Sequence, residues 1–326
     1  MTRIAYLGPA GTFTEQAARR WAADAGAVRT AGDGPEAAGP DVRPAPSVPA
    51  AVEALLAGEA DAAVVPFENS VEGSVPATLQ ALLQVPDGEV RIAGEVLVEV
   101  QFSLLVRPGR TGEPVRTVAS HPHAFAQTRD WLGANLPAAR QVPESSTAAA
   151  ALAVAEGRYD AAVASPGAAE AYGLEPAARH IADRDGAVTR FVVLRSGVAA
   201  PAPTGSDRTT LVALIWQNRP GALLELLEQF ATRGIDLSRL ESRPTGEGLG
   251  EYCFWIDADA HLAEPRMREA LTGLRRTCRD VRFFGSYPRA DGRAPVVPAH
   301  ADADTYAEAL RWVDSLGGTD QGPAHG

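Results

Sequence analysis

The sequence predicts an α/β protein built of two similar lobes followed by a smaller βαββαβ domain. Three observations carry that prediction. Apolar runs of strand length alternate with helix-length segments through the first 196 residues. Part of this pattern recurs at an offset of 99 residues: Ser47, Ala50, Ala51, Ala54, Gly58, Asp61, Ala62, Ala63 and Val64 return as Ser146, Ala149, Ala150, Ala153, Gly157, Asp160, Ala161, Ala162 and Val163. Finally, 197–207 has the Gly-, Ala- and Pro-rich composition of a linker, and periodicity resumes directly after it.

Taken in order, Arg3 to Leu7 reads as a strand, and Gly8-Pro9-Ala10-Gly11-Thr12-Phe13-Thr14 as a turn into a helix through about Ala25. Thr12 and Thr14 are its N-cap candidates. From Ala27 to Pro46 the composition suggests a surface excursion without regular structure, and a helix follows over about Pro49 to Ala57. Ala62 to Val65 then forms a small, β-branched run that stops at Pro66 and ends in Glu68, Asn69 and Ser70. Such a run suits a parallel strand covered on both faces, and ligands of open α/β sheets collect at the carboxyl ends of these strands. Gly73-Ser74-x-Pro76 has the composition of a helix start.

The repeated segment is read in both copies as a capped helix, a glycine turn, a buried strand and a proline, Pro66 and Pro166. Two lobes follow, with Arg91 to Val106 passing from one to the other and Val188 to Leu194 passing back. Double crossing makes a hinged cleft. In the second lobe a strand over Val115 to Ala119 leads to Ser120-His121-Pro122-His123, which opens a helix to about Gly133. Glu144-Ser145-Ser146-Thr147 and Ser165-Pro166-Gly167 cap further helices. Converging helix starts of this kind form a pocket of N–H and hydroxyl donors suited to carboxylates.

The expected boundaries are lobe I over about 1–100 and 184–196, lobe II over about 101–183, a linker over 197–208, a second domain over 209–287 and a flexible tail over 288–326. The second domain has strands over Thr209 to Trp216, Leu237 to Arg243, Glu251 to Asp257 and Val281 to Tyr287. Its helices span about Gly221 to Arg233 and Glu264 to Thr277, a split-βαβ order. The tail contains one short helix near Thr305 to Leu316. Trp21, Trp131, Trp216 and Trp255 are read as core anchors.

Composition narrows the function. All 30 basic residues are arginine, which rules out a phosphate-loop lysine and a Schiff-base lysine. A formal net charge of −11 disfavours nucleic acid and anionic membranes as partners. An anionic small molecule remains compatible if local arginine, hydroxyls and helix N-termini face it. Cys253 and Cys278 lie in separate elements without a partner at metal-ligand spacing and are expected to be buried free thiols. Met1-Thr2-Arg3 runs straight into the first strand, so a cytoplasmic protein is expected.

Four ordered motifs resemble those of prephenate dehydratase: Leu7-Gly8-Pro9-Ala10-Gly11-Thr12-Phe13-Thr14, Pro66-Phe67-Glu68-Asn69-Ser70-x-Glu72-Gly73, Ser120-His121-Pro122 with Gln127, and Thr189-Arg190-Phe191. The second domain resembles an ACT regulatory domain. There Gly221, Ala222, Leu223 and Leu224, after Pro220, match one phenylalanine-binding stretch of the family, and Glu241, Ser242, Arg243 and Pro244 match the other.

The resemblance covers about Thr2 to Tyr287. It implies decarboxylating dehydration of prephenate to phenylpyruvate in L-phenylalanine biosynthesis, in a cleft between lobes of periplasmic-binding-protein type. No metal or organic cofactor is implied. It also implies control by phenylalanine and a homodimer or homotetramer. By the family pattern Thr189 assists the leaving hydroxyl, against the alternative of an ordinary strand threonine. Arg190 stabilises negative charge, and Glu68 is a second proton-donor candidate if burial raises its pKa. Asn69, Ser70, Ser120, Gln127, Thr147 and Phe191 are the substrate-binding candidates. For Asn69, Ser70, Ser120 and Thr147 a helix-capping role weighs against it. His123 stands where the family commonly has glutamine, and structural roles are expected for both His121 and His123. Arogenate dehydratase, a non-aromatising prephenate decarboxylase and a non-catalytic ligand sensor are the competing readings.

Overall fold

The computed structural model describes residues 2–29, 40–245 and 252–317. The chain divides into two compact units, Met1–Val90 with Glu95–Ser196, and Arg91–Gly94 with Gly197–Gly326.

The first unit contains β1 (Arg3–Leu7), α1 (Phe13–Arg29), β2 (Asp41–Ala45), α2 (Val48–Leu56), β3 (Ala62–Asn69), β4 (Gly73–Ser74), α3 (Pro76–Gln84) and β5 (Val90–Glu99). It continues with β6 (Ser103–Val106), β7 (Thr117–Ser120), α4 (Pro122–Gln127), α5 (Arg129–Asn135), β8 (Arg140–Pro143), α6 (Thr147–Ala155), β9 (Ala161–Ala164), α7 (Pro166–Tyr172), β10 (Glu175–Ala178) and β11 (Val188–Ser196). One sheet has the order β2-β1-β3-β11-β5 with β4 on β3, and the other β10-β6-β9-β7-β8. The chain therefore leaves the first lobe after β5, builds the second from β6 to β10, and returns as β11.

The repeat is a structural one. Ser47 caps α2 and Ser146 caps α6, each accepting from the backbone N–H three residues on. Gly58 and Gly157 follow with φ of 70° and 82°. Asp61 then accepts from Arg3 N at 2.8 Å, and Asp160 from Arg116 N and Thr117 N at 3.0 and 2.9 Å. Each aspartate thus ties its lobe's edge of β3 or β9 to the start of the parallel neighbour, β1 or β7.

Several expectations are corrected. β3 does not stop at Pro66 but continues to Asn69, parallel to β1 and antiparallel to β11. A register shift between Arg190, opposite Glu68, and Phe191, opposite Pro66, bulges β3 at Phe67, next to the proline, which has no N–H to give the ladder. Ser74 belongs to β4, and α3 starts at Pro76 with no side-chain cap. The expected helix from His121 to Gly133 breaks at Thr128, because Asp183 accepts from Asp130 N and Trp131 N and starts a separate α5. α1 runs on to Arg29, and β2 occupies part of the expected excursion, of which 30–39 lie outside the described residues.

The second unit contains β12 (Asp207–Leu214), α8 (Ala222–Ala231), β13 (Leu237–Pro244), β14 (Tyr252–Ala258), α9 (Pro265–Thr277) and β15 (Asp280–Pro288). Its antiparallel sheet has the order β13-β14-β12-β15, so β13 is an edge. Leu226 and Phe230 of α8 and Met267, Ala270 and Leu274 of α9 pack on Leu211, Ala213, Phe254 and Ile256 of the sheet. Trp255 is fully buried and stacks on Phe284, and Trp21 and Trp131 flank the lobe cores. Trp216, expected in the core, is 68% exposed because β12 ends at Leu214 and the chain turns outward. The expected strand start at Glu251 lies outside the described residues.

The expected tail is partly ordered. A 3₁₀ turn (Ala299–Ala301) and α10 (Ala303–Gly317) follow β15, and Ala301 is buried against Gly234, where an added Cβ would meet the Ala301 Cβ at 2.8 Å. Residues 318–326 lie outside the described residues. Cys253 and Cys278 are buried free thiols, both pushed up in pKa by burial.

Candidate active site

β3 and β11 bring two motifs together. Thr189 is the register partner of Asn69, and the Asn69 Nδ2 donates to Thr189 Oγ1 at 2.8 Å. The amide cannot be turned the other way, since its Oδ1 accepts from the backbone N–H groups of Val71 and Glu72 at 2.9 and 3.1 Å. Thr189, only 8% exposed, therefore spends a lone pair on Asn69 and keeps its O–H for donation.

A cavity of about 290 Å³ opens beside this pair, near the lower end of the range typical of small-molecule pockets, about 300–1,000 Å³. Both lobes line it. The first contributes Thr12, Phe13, Thr14, Pro66, Asn69 and Glu72, with Thr189 and Phe191 of β11 on its floor. From the second come Phe102, His121, His123, Ala124, Gln127, Ser145, Ser146 and Thr147. Two helix starts face it, α1 with Thr12 capping Glu15 N, and α6 with Ser146 at the N-cap and Thr147 in its first turn. The N-terminal N–H groups of a helix have no intrahelical partner and favour anions. Among the described residues lining the cavity, Glu72 is the one carboxylate and there is no arginine.

A larger cavity, about 940 Å³, lies behind the β1–α1 turn against α7. It shares Thr12 and Phe13 with the first but contains neither Thr189 nor Asn69.

Several expected site residues sit elsewhere. Side chains alternate along a strand, so Arg190 points to the face of β11 opposite Thr189 and Phe191. There it is 5% exposed, its Nη2 3.1 Å from Glu68 Oε2, its Nη1 3.2 Å from Glu95 Oε2, and its guanidinium 4.8 Å over the Phe67 ring. Arg190 is thus paired with the half-exposed Glu68 and the buried Glu95, and neither Arg190 nor Glu68 lines the cavity in which a charge stabiliser and a proton donor were expected. Ser70 Oγ accepts from Val188 N at 2.9 Å and pins β11 to the end of β3. Ser120 is fully buried and donates to Val163 O at 2.6 Å. Phe191 is a core residue of the first lobe whose ring also reaches the cavity floor.

Asn69, Gln127, Thr147 and Thr189 do line the cavity, Thr14 and Ser145 join it from the helix starts expected to converge there, and Glu72 and Phe102 line it without having been singled out as site residues. Glu72 sits in the same motif as Asn69, and the tight β3–β4 hairpin folds it back over the cleft. Gln127 Nε2 donates to Glu72 Oε1 at 3.1 Å, and His123 Nδ1 lies 2.5 Å from Glu72 Oε2, two contacts between the lobes at the cavity mouth. His121 is the N-cap of α4, packed edge-on against His123. Burial, and then the neighbouring His123 ring, holds its pKa below the ordinary imidazole value. No group of three metal-binding side chains occurs among the described residues.

In the second unit Gly221 is the N-cap of α8 with φ 86°, a left-handed conformation that favours glycine. Ala222 is buried beneath it, whereas Leu223 and Leu224 are exposed. Glu241 to Pro244 close the edge strand β13, where Glu241 receives Arg239 Nη2 at 2.5 Å and Arg243 Nη1 at 3.1 Å.

A family profile described as prephenate dehydratase matches residues 4–198. A prephenate dehydratase of Amycolatopsis methanolica is 50% identical over 317 residues, covering 97% of this chain and 98% of that relative. The crystal structure of prephenate dehydratase from Arthrobacter aurescens in complex with L-Phe superposes with a TM-score of 0.87 at 43% identity, covering 97% of this chain and 99% of that one. A structure described as GqqA, a novel type of quorum quenching acylase, superposes with a TM-score of 0.75 at 32% identity, over 88% and 98% of the two chains.

Proposed function

Because the chain belongs to the prephenate dehydratase family, we propose that the Thr189 cavity is where prephenate loses its ring carboxylate and its hydroxyl. The enzyme carries out the decarboxylating dehydration of prephenate to phenylpyruvate in phenylalanine biosynthesis.

In that reaction the bond to the ring carboxylate breaks, its electron pair enters the diene, and the C–O bond to the hydroxyl breaks at the far side of the ring. One proton is taken up, so that the dianion yields the phenylpyruvate anion, carbon dioxide and water. Aromatisation supplies the driving force, leaving orientation and protonation of the departing oxygen to the protein. Thr189 is suited to assist that oxygen, because Asn69 donates to its hydroxyl oxygen and leaves its O–H available to the departing group. A threonine hydroxyl is a very weak acid, so its contribution is a hydrogen bond that strengthens as charge develops on the leaving oxygen.

The carboxylates are received without arginine, by Thr12, Thr14, Ser145 and Thr147 and the helix starts that carry them. Gln127 and His123 face the same space and hold Glu72, so its charge is already partnered when a dianion enters. The Asn69-to-Thr189 hydrogen bond is the observation that carries this reading. Incubating the protein with prephenate, and in parallel with arogenate, and following phenylpyruvate and phenylalanine tests it. Absence of phenylpyruvate from prephenate rejects it.

The reading extends to regulation. Phenylalanine, the end product, is received at the N-terminus of α8 by Gly221 to Leu224, against Glu241 to Pro244 of a second copy in a dimer or tetramer. The Arthrobacter relative was solved with L-Phe. The left-handed Gly221, the exposed Leu223 and Leu224, and the edge strand β13 with exposed Leu240 suit a face that pairs with another copy. The buried free thiols suit a reducing compartment, and the cytoplasm is the location we assign. No helix among the described residues is long and apolar enough to cross a membrane.

A further inference from the structure

The turn that brings Thr12, Phe13 and Thr14 into the cavity belongs to the first lobe, yet its backbone is held from the second. Ser165 Oγ, buried at the start of α7, donates to the Gly11 carbonyl at 2.6 Å. At the other end of α7 the Tyr172 hydroxyl donates to the Ala10 carbonyl at 2.7 Å. Between them the turn and α7 meet with no space to spare: Gly11 has φ 78°, and a Cβ there would lie 2.9 Å from the Ala168 Cα. The next side chain but one, Phe13, packs into the apolar cores of both lobes and meets Phe102 edge-on at 5.9 Å.

We propose that Ser165 and Tyr172 are positioning residues for the reaction, acting through the carbonyls of Ala10 and Gly11 to fix Thr12 and Thr14 against the substrate. Lobes joined only by crossing strands hinge on those strands, and the space between them is then set by whatever else connects them. Here α7 supplies a joint besides the Glu72 contacts at the cavity mouth, placed on the same short turn that forms one wall of the cavity. Neither Ser165 nor Tyr172 lines that cavity, so any effect they have on the substrate passes through the turn. The proposal rests on the assignment of the Thr189 cavity as the prephenate site.

Tyr172→Phe is the informative variant, since it removes one oxygen and leaves the ring packed. KM for prephenate is expected to rise about fivefold or more with kcat within about twofold, the pattern of lost uniform binding, at an unchanged unfolding temperature. Glu170→Ala, on the exposed side of the same helix, leaves KM as it was. Thr14→Val raises KM by itself, and combined with Tyr172→Phe it adds less than the product of the two effects, because both act on one turn. A KM for Tyr172→Phe equal to wild type, or effects that multiply independently, overturns the proposal while an active wild type leaves the functional reading intact. A wild type that makes no phenylpyruvate overturns both.

Discussion

Asn69 donates to Thr189 across β3 and β11, and it does so because two backbone N–H groups, from Val71 and Glu72, hold the other end of its amide. The direction of that bond decides where the threonine proton goes. Asn69→Asp keeps the shape and both backbone contacts but replaces the donor with an acceptor, which draws the Thr189 proton away from the cavity. Turnover is expected to fall about a hundredfold, comparable to the loss of one donor to a developing oxyanion. Asn69→Ala, which leaves the hydroxyl free to rotate, should be the milder of the two. Steady-state kinetics of the pair check the order, and an aspartate variant more active than the alanine variant contradicts it.

Arg190 stands next to Thr189 in the chain and on the other side of the sheet. Its partners are Glu68 and the nearly buried Glu95, so its removal strands carboxylate charge in the interior. Losing one partner of a buried ion pair costs about 3–5 kcal/mol. Arg190→Ala is therefore expected to lower the unfolding temperature strongly while KM for prephenate changes little in the folded fraction. Arg190→Lys should fall between, as an ammonium cannot reach both carboxylates with parallel hydrogen bonds. Calorimetric melting and KM, measured on the same preparation, separate this from a substrate clamp, for which KM would rise at unchanged stability.

The buried half of the fold was legible because burial leaves its mark on composition: Ala62 to Val65 and Ala161 to Val163 are apolar throughout, and Ser47 and Ser146 cap the helices before them. β2, β8 and β10 were not, since each is an edge strand four or five residues long with half-exposed side chains and no apolar run to announce it. In the site, three of the motifs supply Asn69, Gln127, Thr189 and Phe191, and the capping segment Glu144 to Thr147 supplies Thr147, all of which line the cavity. Motif adjacency misled for Arg190 and Glu68, although strand alternation alone places Arg190 opposite Thr189. Ser70 and Ser120 depart from expectation because a hydroxyl near a strand end serves the ladder as readily as a ligand, and only the partner atoms, Val188 N and Val163 O, tell which.

The repeated aspartates give a pH-dependent contribution to stability. The Arg3 side-chain hydrogen bond, and then the Arg3 backbone N–H, hold the Asp61 carboxyl below its ordinary value of 3.8. A carboxyl depressed in the folded state contributes stability that is complete above the unfolded value and is lost as pH falls through the folded one. Asp61→Asn is thus expected to lower the unfolding temperature at pH 7, with the gap to wild type narrowing once the pH drops below 3.8. A gap that stays constant to pH 3 would show that the contact contributes by shape alone.

Gly221 tests the regulatory reading. A β-branched side chain at φ 86° is strained and also covers the N–H groups at the start of α8. Gly221→Val is expected to abolish heat of phenylalanine binding while activity without phenylalanine stays near wild type. Equal binding by the two proteins, or none by wild type, refutes the proposed site.

Assistance by the Thr189 hydroxyl as the ring oxygen departs is measured most directly by turnover of the Thr189→Ala variant. Removing a group that acts mainly in the transition state lowers kcat by about two to three orders of magnitude with little change in KM, and Thr189→Ser, which restores the hydroxyl, should recover much of the loss. A Thr189→Ala enzyme that forms phenylpyruvate from prephenate at near wild-type kcat would contradict that role.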